Sequence, residues 1–313
     1  MKYILYHNHN ATMFQSTVLD RVANTIIEKY PEHEFEIIDP HPKYEKLYPN
    51  CGPGCKYSNH HYLYILNPDT GKYFLFSFWD RLEDIVNIDP TVTGWDTENI
   101  VEIFTSCGVT DLFCHQLIPS LDEAYTPWCY TYNNPRLHES LDTYKSMAKK
   151  FIPSKPSFNG SVYSFREYLT KDSRFNVSSD ILEEEKYYTW LASNKINFNI
   201  NGAGEVCHRD MEILAVKSAL FREKLNSKFH NNLIPDYHYI SVDCSDLKRT
   251  EQYEGLYKAK ADRILDRYNE VIKDPEYLEF VADNGHQWWL DNSKIDSIAN
   301  ISKKLINIDK LDE

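Results

Sequence analysis

No run of apolar residues in this 313-residue sequence approaches the roughly 18–20 that a membrane-spanning helix needs. The amino-terminal MKYILYHNHN has one lysine and a short apolar run that ends at His7, Asn8 and His9. It lacks the apolar region and small-residue cleavage site of a secretory signal, and reads as a first β-strand. Basic residues are in deficit: 34 Lys and Arg stand against 47 Asp and Glu, for a net charge of -13. Such a chain repels phosphate backbones, and it has no basic stripe or polybasic patch, so nucleic acid and anionic membrane surfaces are excluded as partners. The seven cysteines are an odd number, consistent with reduced thiols and a cytoplasmic protein. His7 and His9, and Cys51 and Cys55 with His60 and His61, are the residues that could suggest a metal; the second set matches no ordinary zinc spacing, and no metal is expected. Internal repeats, coiled coils and low-complexity tracts are also missing.

What is present is an alternation of strand and helix patterns. Lys2–His7 is an apolar strand, Val18–Tyr30 has helical spacing, and Phe35–Ile38 is a strand. Pro40–Asn59 is a loop rich in Pro, Gly, Asn and Tyr. Tyr62–Leu66 and Tyr73–Phe78 are aromatic strands joined by a turn at Asn67–Gly71. Val101–Thr105 and Leu112–Ile118 follow as strands, and Arg136–Lys150 as a helix. Two prolines near 151–156 interrupt the pattern and mark a domain boundary after residue 150. A second cycle runs through a strand at Phe158, helices through Phe165 and Leu169 and over Ile181–Leu191, a strand at Ile196–Ile200, and a helix at Met211–Val216. It continues with a strand at Tyr237–Val242 and long helices from about Glu251. Alternation in both halves predicts two open α/β domains, 1–150 and 151–313.

In a chain with only ten glycines, residues 201–214, NGAGEVCHRDMEIL, place two of them one residue apart between a strand and a helix. In open α/β sheets such turns lie at the carboxyl edge, where ligands bind. Gly202 and Gly204 allow close backbone approach. The helix start offers free N–H groups to an anion, Arg209 can fork onto a phosphate, and Glu212 can accept from a ribose diol. Together these suit a nucleotide diphosphate. The third glycine of the dinucleotide fingerprint is missing, which disfavours a dehydrogenase. The bland alternative is that Glu205 and Asp210 merely favour the helix start electrostatically and that His208 is a packing or capping residue.

Three blocks in order carry a resemblance over roughly residues 150–292: Lys155–Ser161 with Arg166; Gly204–Glu212; and Tyr237–Val242 with Asp246 and Leu247. They resemble the donor-binding half of GT-B glycosyltransferases, more narrowly the protein O-glucosyltransferase and capsule-associated xylosyltransferase family. A related GT-B branch, such as glycosyltransferases of large algal viruses or bacteria, is an alternative, with host cytosol as the location if viral. Asn159 departs from the family pattern, which often has arginine there.

The resemblance implies two Rossmann-like domains facing a cleft, an acceptor-binding first domain, and a donor-binding second domain closed by carboxy-terminal helices. It implies transfer of a sugar, xylose or glucose favoured, from a UDP-sugar to a glycan hydroxyl, inverting, without a metal or other cofactor. Arg166 and Arg209 would hold the diphosphate and Glu212 the ribose. Gly202, Gly204 and Ser161 would allow close approach, and Tyr237, His238 and Tyr239 would contact the nucleobase; His208 lies within the same motif. The catalytic base is expected from the first domain, Asp80 first, at the end of an aromatic strand, then His7, with Asp111 and His115 behind them. Two readings of other classes stay open: a nucleotide-sugar-binding protein without catalysis, and a metal-dependent hydrolase built on the His-rich amino terminus.

Overall fold

The computed structural model describes residues 1–6, 14–38, 62–77, 109–114, 125–129, 135–147, 151–162, 164–180, 182–201, 205–247 and 253–313. The protein is mixed α/β, and its chain divides into two compact units. Unit 1 comprises residues 1–133, 227–231 and 292–313; unit 2 comprises 134–226 and 232–291. Among the described residues, no helix is long and apolar enough to cross a membrane.

Unit 1 is built on strands β1 (Lys2–Tyr6), β2 (Glu34–Ile38), β3 (Tyr62–Leu66), β4 (Tyr73–Ser77), β5 (Val109–Cys114) and β6 (Tyr125–Pro127), in the order β2-β1-β3-β4-β5-β6. The β3–β4 pair is an antiparallel hairpin, closed by Gly71 N–H donating to the Asn67 carbonyl at 2.9 Å. The turn expected from Asn67–Gly71 is therefore present, with Gly71 at the positive φ that glycine tolerates. Helix α1 (Phe14–Lys29) buries Val18, Val22 and Ile26, spaced four apart on one face, against Leu5, Leu63 and Ile65.

The chain end returns to this core. Helix α8 (Ile295–Leu305) packs on α1, burying Ile298 and Ile301. Trp128, fully buried, donates its indole N–H to Ser302 Oγ at 2.9 Å. The last residues are pinned too: Tyr3 donates to Asp312 at 2.6 Å, and Thr70 Oγ1 donates to the Leu311 carbonyl at 2.7 Å.

Unit 2 carries helix α2 (Pro135–Ser146), then strands β7 (Ser157–Asn159), β8 (Asn176–Ser178), β9 (Ile196–Phe198), β10 (Ala219–Glu223) and β11 (Ile240–Val242). Helices α3 (Phe165–Thr170), α4 (Glu184–Ser193) and α5 (His208–Ala215) connect successive strands, and α6 (Tyr253–Val271) and α7 (Pro275–Asn292) follow. All pairings are parallel: β7 with β8, and β10 with both β9 and β11. β7 lies beside β9. From that junction the chain winds one way to β8 and the other way to β10, which makes it the topological switch point. β11 is shorter than the strand expected over Tyr237–Val242, because residues 235–239 form a turn. In that turn Asp236 takes a φ of 58° and accepts hydrogen bonds from Ser241 N–H, Arg267 and Tyr277.

Ile298 is fully buried between α8 and the α1 face. Truncation to alanine leaves a cavity that the packed helices cannot refill, and should cost about 2–5 kcal/mol. Urea unfolding of Ile298→Ala measures this; a loss below about 1 kcal/mol, the size of an Ile→Val change, would mean that α8 is not part of the core.

Candidate functional site

The loops after β7, β9 and β10 sit at the carboxyl edge of unit 2, and a buried ion pair holds the last two. Arg222, in the middle of β10, and Asp210, in the first turn of α5, have side chains 1% and 0% exposed and meet at 2.5 Å. Asp210 accepts three donors: Arg222, the Asn199 amide at 2.6 Å, and the Cys207 backbone N–H at 2.9 Å. The last of these caps α5. Arg222 also donates to Asn201 Oδ1 at 2.5 Å, to the Glu205 carbonyl at 2.7 Å and to the Glu223 carbonyl at 3.1 Å. One guanidinium therefore grips both rims of the segment 202–204. Burial works against the Arg222 charge, but Asp210 and its neighbours outweigh this and hold its pKa above the ordinary value. Glu205 extends the network by accepting from the Asn226 N–H and side chain at 2.8 and 3.0 Å.

A second arginine ties the two sides of the switch point together. Arg166, 6% exposed, donates to the Ser161 carbonyl at 3.0 Å and to the Ile200 carbonyl at 2.6 Å. These are the chain exits from β7 and β9. Its guanidinium lies 4.6 Å from the ring centre of buried Phe158.

Arg209 approaches the same ring, at 4.2 Å. The guanidinium lies tight against Gly160: a Cβ there would stand 2.7 Å from Arg209 Nη2 and 3.0 Å from Nη1, so a larger residue would displace it from this position. Arg209 Nε donates to the Tyr187 hydroxyl at 2.9 Å, and that hydroxyl donates to Glu212 at 2.7 Å. Tyr188 donates to the other Glu212 oxygen at 3.2 Å. Burial, then the Glu212 charge, push the Tyr187 phenol well above its ordinary pKa, so it stays protonated and able to donate. Burial also raises the Glu212 carboxyl. Arg209 is held above its ordinary value: burial pulls it down, and Tyr187, Cys207 and Glu212 together pull it up by more. Among the described residues, Arg209 Nη1 and Nη2 donate no hydrogen bond. A fixed cation with two open donors, at the positive end of α5, is suited to an anionic oxygen pair.

The structure thus brings Ser161, Arg166, Arg209 and Glu212 together. Arg166 is engaged by two backbone carbonyls, and Glu212 by two tyrosines. His208 opens α5 and is exposed. Tyr237, His238 and Tyr239 lie in the turn entering β11, which runs parallel to β10; their backbone therefore leads into the amino end of that strand. Tyr239 is fully buried, with its hydroxyl accepting from the Leu225 N–H at 3.0 Å. Tyr237 is exposed beside Phe280, ring centres 5.5 Å apart. His238 Nδ1 accepts from the Ile234 N–H at 2.9 Å. Gly202, Gly204, His7, Asp80 and His115 lie outside the described residues. Asp111, in β5 of unit 1, accepts from Thr126 Oγ1 at 2.9 Å, and burial raises its carboxyl. Among the described residues, no group of three or more His, Cys, Asp or Glu could hold a metal ion.

Sequence reasoning passed over Asn199, Arg222, Phe158, Tyr187 and Tyr188. Arg222 carried a signal: an arginine directly after Ala219, Leu220 and Phe221 in a strand-length segment needs a buried partner.

No family model matches the sequence, and no curated protein matches it. Among solved structures, the chain is similar to a sucrose-phosphate synthase from Thermosynechococcus elongatus, at 9% identity and a TM-score of 0.41. That match covers 74% of this chain and 66% of the synthase, so the chain spans just under two thirds of the synthase's length. It is also similar to a glycosyltransferase from Rickettsia africae, at 8% identity and a TM-score of 0.34, covering 97% of each chain.

Removing one partner of a buried ion pair strands the other without compensation, at a cost of about 3–5 kcal/mol. Arg222→Met should destabilise unit 2 by that amount in urea unfolding. A loss under about 1 kcal/mol, the value of a solvated pair, would contradict the role given to Arg222.

Proposed function

We propose that the protein is a glycosyltransferase of GT-B architecture, and that unit 2 binds the diphosphate of a nucleotide sugar at the β7–β9 switch point. The observation that carries this is Arg209. Its guanidinium rests on Phe158 and against Gly160, Tyr187 fixes its Nε, and its two terminal nitrogens are uncommitted among the described residues. A permanently charged fork at a sheet's carboxyl edge, beside a helix start, is the arrangement that diphosphates select.

The roles follow from the geometry and change the resemblance's assignments for Arg166, Glu212 and the Tyr237–Tyr239 turn. Arg209 is the phosphate ligand. Arg166 holds the two loops that frame the site, because its nitrogens already donate to Ser161 and Ile200. Glu212 positions Arg209 through Tyr187, with the ribose contact as a second use of the same carboxyl. Nucleobase contacts by Tyr237, His238 and Tyr239 do not enter this proposal, since Tyr239 is core and the segment leads into the amino end of β11.

The resemblance supplies the finer reading: a UDP-sugar donor, with xylose or glucose as the sugar and a glycan hydroxyl as acceptor. The acceptor oxygen attacks the anomeric carbon as the bond to the diphosphate breaks, and configuration inverts. The acceptor proton passes to a base from the first half of the chain, Asp80 or His7. The diphosphate leaves with its new charge on Arg209 and the α5 amino terminus, which requires no metal.

A charge-assisted hydrogen bond is worth about 1.5–3 kcal/mol. Arg209→Ala should therefore weaken UDP binding roughly ten- to hundredfold, and Tyr187→Phe should weaken it less, with the fold intact by circular dichroism. Calorimetric titration of UDP, UDP-xylose and UDP-glucose in EDTA measures this. Unchanged UDP affinity in Arg209→Ala, or no UDP binding by the parent protein, would sink the proposal.

A further inference from the structure

The opposite edge of the same sheet holds a cavity of about 280 Å³, lined by Lys145, Lys195, Lys217, Leu278, Glu279, Ala282 and Asp283. All seven residues belong to unit 2. Lys195 immediately precedes β9, and Lys217 lies two residues before β10, so both stand at the amino edge, away from Arg209. Lys145 comes from the last turn of α2. The two carboxylates come from α7, which also supplies the apolar Leu278 and Ala282.

The charges divide into answered and unanswered groups. Lys145 pairs with Asp142, and Lys217 with Asp283 at 2.8 Å. Among the described residues, half-buried Lys195 has no carboxylate partner for its Nζ, and solvent-exposed Glu279 has no cation partner. Lys217 also sits at a φ of 60°, in the left-handed conformation that glycine usually supplies after a helix. Lysine stands there against backbone preference, an outlier of the kind that clusters at functional sites. Three helix carboxyl ends, of α2, α4 and α5, lie next to these lysines and favour positive charge. That accounts for one solvated lysine at each end, not for three around a shared cavity with carboxylates on its far wall.

We propose that this cavity is a second ligand site, for a small phosphorylated polyol such as a sugar monophosphate. The phosphate would meet Lys195 with Lys145 and Lys217 beside it, the hydroxyls would donate to Glu279 and Asp283, and the carbon face would lie on Leu278 and Ala282. The volume, just below the roughly 300 Å³ at the lower end of small-molecule sites, matches an occupant the size of a single sugar. Helix α5, His208–Ala215, carries Arg209 at its start and ends two residues before Lys217, so one element spans both edges of the sheet.

Calorimetric titration of the full chain with glucose 6-phosphate, glycerol 3-phosphate, inorganic phosphate and glucose tests this. The expected result is binding of the sugar phosphate in preference to phosphate or glucose alone. It should be weakened about tenfold or more by Lys195→Ala, weakened by Glu279→Gln for the sugar phosphate but not for phosphate, and unaffected by Arg209→Ala. The site is overturned if no sugar phosphate binds, or if binding survives both Lys195→Ala and Glu279→Gln. Loss in Arg209→Ala alone would overturn it too, by assigning the anion to the opposite edge. Equal affinity for phosphate and sugar phosphate would overturn the polyol part. The inference is independent of the nucleotide proposal, because neither Arg209 nor UDP enters its expected result.

Discussion

The ion pair between Arg222 and Asp210 is the contact on which the rest of unit 2 depends. Two charges this deeply buried lose their hydration, and attraction between them does not by itself repay that loss. They persist because their other polar atoms are also used: Asp210 by Asn199 and the cap of α5, Arg222 by Asn201, Glu205 and Glu223. The pair therefore fixes strand β10, the start of α5 and both rims of the loop between them. Arg209 is the residue directly before Asp210, so its backbone position follows from that anchor.

From the anchor outward, cations are placed by π faces and carbonyls rather than by surface acids. Phe158 carries one guanidinium at 4.6 Å and another at 4.2 Å. Two like charges on one ring need separate stabilisation. Arg166 is stabilised by two carbonyl dipoles, and Arg209 by the Tyr187–Glu212 relay. A strongly acidic chain, -13 overall, thus builds a locally positive edge without a basic surface. This resolves the conflict between its net charge and an anionic ligand: a few fixed donors act at short range, whereas net charge acts through screened solvent.

Much of the architecture was legible from periodicity. The alternation of strand and helix, the β3–β4 hairpin with its Asn67–Gly71 turn, and the α1 face of Val18, Val22 and Ile26 are all present as expected. Strand β10 was not legible, because Arg222 interrupts its apolar run and hides that all five residues are buried. Strands β6 and β8, three residues each, are too short to show a period. The return of α8 to unit 1 was hidden for a different reason: amphipathic spacing says that a helix needs an apolar partner, not which one. At the site, the crowding of NGAGEVCHRDMEIL was visible but its roles were not. Asp210 read as a charge favouring a helix start, and is the centre of a buried network. Glu212 read as a ribose ligand, and holds two tyrosines. Long-range hydrogen bonds such as Asn199–Asp210 and Tyr187–Glu212 leave no trace in local spacing.

The central claim is that a diphosphate binds where Arg209 and the loops after β7 and β9 meet. Amide hydrogen exchange of the protein with and without UDP tests it most directly, because it reports position as well as binding. The account predicts slowed exchange over residues 158–162 and 205–212 when UDP is bound, with the core strand β10 unchanged. Slowed exchange confined to other segments, or none at all under saturating UDP, would contradict it.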